Sequence, residues 1–345
     1  MEKIKINLGA TWDVEQLIKI NELNALHENA VVTEVYGSIG SYPTARSFDR
    51  LPAWDNKRFG AYMETALRLG ISVKWTMNQS CLGNLESLDE IMYKTIVDHM
   101  VAYGQHKYIV AVPLMLQIIK ENDADAEIEV STISRVTTLC ELESWLLYGA
   151  NAICWDVMEN RNIPLLKQAA KLCHTYGATL EVIANEFCLY GCIHRNTCYN
   201  LSSHNSGRKR FGGYPFSDCI SDRVADPVEW VKARFILPSW TRQYMDFGVD
   251  KFKITGRTHP TQDVLRVLSY YMDEKDPEDL LSLWHHIEKL VDGTEQHPVI
   301  YTEVLKRESM LDHFIQKGSA CRSMPCKNGN GCTYCQSLYE LAEGE

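Results

Sequence analysis

The chain has 345 residues, a formal net charge of −10 and 45% hydrophobic residues. This acidic balance argues against nucleic-acid binding, because nucleic-acid-binding proteins carry a basic face. The apolar runs are too short to cross a bilayer, and the first residues lack the apolar segment and cleavage site of a secretory signal. We therefore expect a cytoplasmic protein that binds neither nucleic acid nor membranes.

Short β-rich segments alternate along the chain with longer segments of helical periodicity. The predicted strands are 4–8, 32–36, 72–77, 108–112, 127–131, 152–156, 179–184 and 251–255, and the clearest helices are 14–26, 165–173 and 262–272. Repeated β–α alternation of this kind predicts an α/β protein with a (β/α)8 barrel of the TIM type. An open doubly wound sheet is the alternative, although no G-x-G-x-x-G motif follows the first strand.

The regular spacing breaks once, between predicted strands seven and eight, where residues 185–250 are too many for an ordinary connection. We therefore predict a barrel over residues 1–275 with a cysteine-rich insertion at 186–235. Residues 276–345 form a C-terminal extension, which begins with the helical pattern "LLSLWHHIEKLV" and ends in a segment rich in cysteine and glycine.

Polar residues occur near the ends of several predicted strands, where barrel enzymes carry out their chemistry. Lys253 and Arg257, on and after strand eight, suit an anionic substrate, because an ammonium is a point charge and a guanidinium is a bidentate fork. Asn78 and Glu34 are predicted to position that substrate. A rim salt bridge is the alternative role of Arg257, and an inward pair with a carboxylate such as Glu34 or Asp156 is that of Lys253.

Twelve cysteines in a cytoplasmic chain favour metal or cluster ligation over disulfides. Cys188, Cys192, Cys198 and Cys219 supply the four thiolates that a 4Fe–4S cluster requires. Zinc also accepts four thiolates but favours pairs with shorter gaps, and unligated thiols in a long loop are a further alternative. The radical-SAM motif does not match, since its third cysteine comes after two residues rather than five.

A second group of cysteines lies near the C-terminus, in "CRSMPCKNGNGCTYC". Its members are Cys321, Cys326, Cys332 and Cys335. This density, with glycines that permit tight turns, predicts a second metal site that holds either an iron–sulfur cluster or zinc. Two alternatives are a reduced, disordered tail and a single tail thiol that completes the first site.

Three segments of the chain resemble the collagenase-like peptidases, the U-thirty-two peptidase family. They are "GVDKFKITGRTHPTQDVLRVLSYY" (248–271), "LEVIANEFCLYGC" (180–192) and "NQSCLGN" (78–84). The resemblance covers roughly residues 3–275 and implies a barrel with a four-cysteine cluster near its mouth. Several members of that family look like iron–sulfur proteins that take part in oxygen-independent hydroxylation of quinone precursors or RNA bases. The cysteine spacing differs from the family pattern, which indicates a divergent member.

These features predict an iron–sulfur enzyme that acts on a small anionic molecule, by oxygen-independent hydroxylation or related redox or lyase chemistry in a biosynthetic pathway. A peptidase is one alternative, for which His194 or His204 would pair with a cysteine; the chain has neither H-E-x-x-H nor G-x-S-x-G. A second alternative is a non-catalytic iron–sulfur subunit or electron carrier, which works with a protein partner or a second copy of the chain.

Overall fold

A computed structural model describes residues 2–40, 44–47, 50–53, 55–81, 90–206, 216–284, 298–326 and 331–343. Its eight parallel strands follow one another around a closed barrel in chain order, and the last pairs with the first. The strands are β1 (Ile4–Gly9), β2 (Ala30–Gly37), β3 (Ser72–Met77), β4 (Lys107–Val110), β5 (Glu127–Val130), β6 (Ala152–Cys154), β7 (Thr179–Ile183) and β8 (Lys251–Ile254). The predicted (β/α)8 barrel is confirmed, and the open sheet is wrong.

Helices surround the barrel and continue into the insertion and the extension. They are α1 (Val14–Leu26), α2 (Asn56–Arg68), α3 (Glu90–Ala102), α4 (Pro113–Asn122), α5 (Leu139–Leu147), α6 (Ile163–Thr175), α7 (Arg195–His204), α8 (Phe216–Ala225), α9 (Val228–Lys232), α10 (Thr241–Asp246), α11 (Thr261–Met272), α12 (Thr302–Arg307), α13 (Met310–Lys317) and α14 (Tyr334–Ala342). No helix in the described ranges is long and apolar enough to cross a lipid bilayer.

Local signals in the sequence explain several of these boundaries. Asp13 caps α1 by accepting a hydrogen bond from the backbone N–H of Glu15, the standard role of a short acidic residue at that position. Strand β4 ends at Val110, two residues earlier than predicted, and Pro113 then starts α4, a position that suits proline because the first helical N–H needs no partner. The predicted helices at 14–26 and 262–272 match α1 and α11 to within one residue.

The insertion after β7 contains α7, α8 and α9, and the chain then returns through α10 to β8. In the extension, a 3-10 turn at Leu280–Leu283 precedes α12, and the remainder of the predicted helix, from residue 285, lies outside the described residues. Buried side chains of the extension, including Leu305, Phe314 and Leu338, join the same hydrophobic core as the barrel. The division of the chain at residue 275 stays a prediction.

Candidate functional site at the barrel mouth

The barrel interior holds charged side chains that pair with one another across the axis. The Lys74 ammonium lies 2.8 Å from the Glu34 carboxylate and 2.6 Å from that of Glu129. Lys253 binds both Glu129 and Glu181, with 2.9 Å between Lys253 Nζ and Glu181 Oε1. All five side chains are at most 5% exposed. A buried charge is tolerable only when it is paired, and here each charge has a partner.

Glu34 anchors the amino-terminal end of this network. Besides Lys74, it accepts hydrogen bonds from Lys107 at 2.7 Å and from Lys251 at 2.9 Å. Burial alone would raise the pKa of Glu34, but the charges of Lys74, Lys251 and Lys107 outweigh burial and hold its pKa well below the usual range. Glu34 therefore stays ionised.

Glu129 and Glu181 lie close together at the centre of the barrel. Burial opposes ionisation of each, but Lys253 and Lys74 lower the pKa of Glu129, whereas burial and the charge of Glu129 raise that of Glu181. Cys154 also lies here, with its thiol within 4.8 Å of both carboxylates; because the lysines already bind these carboxylates, we assign no metal to them.

Arg257 lies at the mouth, above this network. It donates to Thr76 Oγ1 at 2.9 Å, and its guanidinium carbon lies 5.6 Å from the centre of the Tyr36 ring. Burial, and then the neighbouring charge of Arg46, lowers the pKa of Arg257 to about 9. Among the described residues no carboxylate pairs with Arg257. The mouth therefore offers positive charge that an anion would stabilise.

Asn78 positions the segment that carries Arg46. Its side-chain oxygen accepts from Thr44 Oγ1 at 3.1 Å and from the backbone N–H of Ala45 at 3.2 Å, while its amide donates to Ser131 Oγ at 3.3 Å. The Nε of Arg46 is buried without a hydrogen-bond partner in the described part of the chain. Asn78 thus holds the backbone on which Arg46 approaches Arg257.

The structure separates the four residues predicted to act on substrate into two pairs. Arg257 and Asn78 lie at the mouth, whereas Lys253 and Glu34 are buried in the barrel interior. Lys253 forms the inward pair given as its alternative role, but its partners are Glu129 and Glu181 rather than Glu34 or Asp156. The roles of these residues toward substrate stay predictions.

The first cysteine group lies on the loop and helices that follow β7. Cys188 is held by its backbone N–H, which donates to the Glu186 carboxylate at 3.2 Å. Burial raises the pKa of Cys188 far above its usual value, and the charge of Cys219 raises it further. Burial also raises the pKa of Cys219, to which the nearby Cys192 contributes. Cys198 lies on α7, within the same insertion.

Two buried arginines accompany these thiols. Arg195 binds the Asp156 carboxylate at 2.7 Å, and Arg223 donates to the backbone carbonyl of Cys219 at 2.9 Å. Both arginines interact electrostatically with Cys188. Arg195 Nη2 and Arg223 Nε are buried and have no hydrogen-bond partner among the described residues. Neither arginine was predicted from the sequence to lie at this site, although each is three or four positions from a cysteine on the same helix face.

The end of β3 contacts the cysteine-bearing helix α7. The backbone N–H of Ser80 donates to Ser203 Oγ at 2.9 Å, and its hydroxyl donates to Asn200 at 2.7 Å. These contacts bring Cys81 Sγ within 3.4 Å of His204 Nε2. His204 therefore forms a cysteine–histidine pair, and its partner is Cys81, which follows β3.

The second cysteine group lies beside the first. Burial raises the pKa of Cys335 to about 11, with contributions from Cys321 and Cys332. Cys326 also interacts with Cys321, so electrostatic interactions connect the four thiols. The hydroxyl of Tyr190, from the loop between Cys188 and Cys192, donates to the carbonyl of Cys321 at 2.9 Å.

Fold and site together define a (β/α)8 barrel protein with a positively charged mouth and two groups of four cysteines beside it. No profile of a known protein family matches the chain. An uncharacterized protease of Methanocaldococcus jannaschii is 26% identical over 270 residues, which cover 77% of this chain and 75% of that protein. A solved structure of a U32 peptidase has a TM-score of 0.53 and 14% identity, over 74% of this chain and 94% of its own. The resemblance to the U32, or collagenase-like, peptidases is confirmed.

We expect Glu34→Gln to destabilise the protein in a pH-dependent manner. At pH 7 the change leaves three lysines without this carboxylate, which should cost about 3–5 kcal/mol of unfolding free energy. Because the folded-state pKa of Glu34 is lowered, its contribution is present above about pH 4.5 and is lost as the pH falls. The difference in unfolding temperature between wild type and variant should therefore narrow as the pH falls from 7 to 3.

Glu64→Gln is the control, since Glu64 is exposed on α2 and its variant should follow the wild type at every pH. A difference between wild type and Glu34→Gln that stays constant from pH 7 to pH 3 would contradict the assignment of an ionised, lysine-bound Glu34.

Proposed function

We propose that this protein is an enzyme that binds a small anionic molecule at the barrel mouth, beside a 4Fe–4S cluster ligated by Cys188, Cys192, Cys198 and Cys219. The observation that carries the proposal is the half-buried guanidinium of Arg257, which has no carboxylate partner among the described residues and lies next to Arg46. Redox or lyase chemistry on that molecule is the reaction class that this combination favours.

The anion-binding half of the proposal rests on charge. Two guanidinium groups that approach each other in a half-buried site repel, and burial weakens the hydration that would offset this repulsion. A carboxylate or phosphate between Arg46 and Arg257 would relieve both effects and accept their N–H donors. Thr76 already orients Arg257, so little side-chain entropy is lost on binding.

The cluster-binding half rests on the donor set and on the two arginines beside it. Four thiols are the usual ligands of a 4Fe–4S cluster, and a cluster held by thiolates is anionic. The unsatisfied N–H groups of Arg195 and Arg223 would donate to such an anion and would favour the ionised form of Cys188. Neutral thiols, by contrast, would leave those donors unpaired in the interior, which costs free energy.

A bound cluster would supply electron transfer or an open iron that polarises a substrate oxygen. The chain's own residues bind and orient the substrate. Arg257 and Arg46 hold its anionic group, Asn78 fixes the backbone of Arg46, and the packed interior excludes water beneath them. Glu181 lies beneath them and accepts a hydrogen bond from Lys253 Nζ at 2.9 Å.

Single Cys→Ser variants of the first cysteine group test the cluster. After anaerobic purification with iron and sulfide analysis, we expect Cys192→Ser to lose the iron and sulfide of this site and to make the insertion more sensitive to proteolysis, because ligation and folding of the loop are coupled. Cys140→Ser is the matched control, since Cys140 is exposed on α5. Full cluster content in the Ser variants of Cys188, Cys192, Cys198 and Cys219 would exclude this ligand set.

Arg257→Met tests the anion site with inorganic phosphate and malonate as probes. The wild type should be stabilised by one of these anions in thermal unfolding, and the variant should bind it at least about tenfold more weakly, as expected for the loss of one charge-assisted contact. Arg68→Met, which changes an exposed arginine in the last turn of α2, should retain the affinity. Equal binding by wild type and Arg257→Met would remove Arg257 from the site.

A peptidase is the second candidate, and the pair formed by Cys81 and His204 favours it. The distance of 3.4 Å between Cys81 Sγ and His204 Nε2 suits a thiol nucleophile and its general base, and the relative from Methanocaldococcus jannaschii is called a protease. The pair lies on the same face of the barrel as Arg257, since Cys81 follows β3.

Casein hydrolysis and thiol alkylation by iodoacetamide test this candidate. If the protein is a cysteine peptidase, Cys81→Ala should abolish hydrolysis while leaving iron content unchanged, and His204→Gln should slow both hydrolysis and alkylation of Cys81. Cys140→Ser should hydrolyse casein at the wild-type rate. Hydrolysis that survives in Cys81→Ala, or a wild type that cleaves no casein, would reject the Cys81 nucleophile.

A further inference from the structure

The four C-terminal cysteines lie on three short segments. Cys321 lies on the 3-10 turn Gly318–Arg322 and Cys335 on the first turn of α14. The backbone N–H of Cys332 donates to the carbonyl of Pro325, the residue before Cys326, at 3.1 Å. Electrostatic interactions connect Cys335 with Cys321 and Cys332, and Cys326 with Cys321.

Glycine is required at two places for these segments to approach. A Cβ at Gly331 would lie 1.9 Å from the carbonyl oxygen of Pro325, and a Cβ at Gly318 would lie 1.8 Å from that of Arg161. Both contacts are with backbone atoms, which cannot move aside as a flexible side chain can. Glycine therefore allows residue 331 to pack against Pro325, and residue 318 to pack against the backbone just before α6.

Two buried arginines, Arg161 and Arg234, face the same thiols. They are 1% and 3% exposed, and both interact electrostatically with Cys335. Arg161 lies between the rings of Phe235 and Phe314, at 4.5 and 4.8 Å from their centres. Arg234 lies 3.5 Å from the centre of the Tyr190 ring. Aromatic faces stabilise a cation only partly.

These two arginines lack carboxylate partners. Arg195 and Arg242 each bind a carboxylate, but among the described residues no ion pair involves Arg161 or Arg234, and Arg161 Nε, Arg161 Nη2 and Arg234 Nε are buried without hydrogen bonds. Neutral thiols would leave two adjacent positive charges uncompensated in the interior, an arrangement that costs several kcal/mol. A negative charge of about two units at the thiols would compensate them.

We propose that Cys321, Cys326, Cys332 and Cys335 ligate a metal centre with four thiolates, and that Arg161 and Arg234 neutralise its negative charge. Four thiolates around a divalent ion leave a net charge of about −2, and an iron–sulfur cluster with four thiolate ligands is likewise anionic. The shared chemistry is the anionic tetrathiolate. This centre is independent of the proposed function, since none of its ligands belongs to the first cysteine group.

Metal analysis of the full chain distinguishes this centre from the first. Zinc, iron and sulfide are measured after anaerobic purification of the wild type and of Cys335→Ser, Cys332→Ser, Cys192→Ser and Cys140→Ser. We expect Cys335→Ser and Cys332→Ser to lose one zinc, or the iron and sulfide of one cluster, whichever the wild type contains. The metal lost in Cys192→Ser should be a different equivalent, and Cys140→Ser should match the wild type.

Arg161→Met gives opposite results with and without a metal centre. If the centre exists, loss of one neutralising charge should weaken metal retention against a chelator by about 10–100-fold and should lower the unfolding temperature. If the thiols bind no metal, the same change replaces an uncompensated buried charge by an apolar side chain and should raise the unfolding temperature.

Three results would overturn the proposal. The first is full metal content in both Cys335→Ser and Cys332→Ser. The second is loss of all metal at once in both Cys335→Ser and Cys192→Ser, which would indicate one shared site. The third is a stabilised Arg161→Met with unchanged metal retention.

Discussion

The pairing of lysine and glutamate across the barrel axis is the constraint on which the rest of this structure depends. Glu34, Glu129 and Glu181 are each bound by lysines from other strands, so the strands meet at the centre through charged groups in fixed geometry. A shift of one residue in the register of any of these strands would turn its charged side chain toward the helices. The network therefore specifies strand register as well as filling the interior, and it supports the mouth from below through Lys253 and Tyr36.

The order of the elements was predictable from the sequence, because each β-rich segment and each helix carries a local signal. The eight predicted strands all occur, and their limits differ mainly where a neighbouring turn or proline intervenes. The charged interior was not predictable. Residues such as Glu129 and Glu181 alternate with apolar neighbours, and alternation of this kind is equally typical of a strand with one face in solvent. Only closure of the barrel shows that the charged face points inward.

The two cysteine groups could be recognised from their spacing in the sequence. Arg257 and Asn78 could be placed at the mouth, because each follows the end of a predicted strand. An inward pair was one of the two roles predicted for Lys253, but its partners Glu129 and Glu181 could not be named, because they lie far from it in sequence. The positions of the arginines beside the thiols could not be predicted for the same reason. Arg161 follows β6 and Arg234 follows α9 near the end of the insertion, and nothing in either local sequence shows that the C-terminal segment folds back over both.

A barrel with an ionic centre should respond to heat differently from one with an apolar centre. The free-energy cost of removing charged groups from water falls as temperature rises, while the contribution of buried apolar surface levels off. Exposing paired charges on unfolding also adds less heat capacity than exposing the same area of apolar surface. The curve of stability against temperature should therefore be flatter for this chain than for a barrel of equal size whose axis is lined by valine and isoleucine, so its working range extends toward higher temperatures.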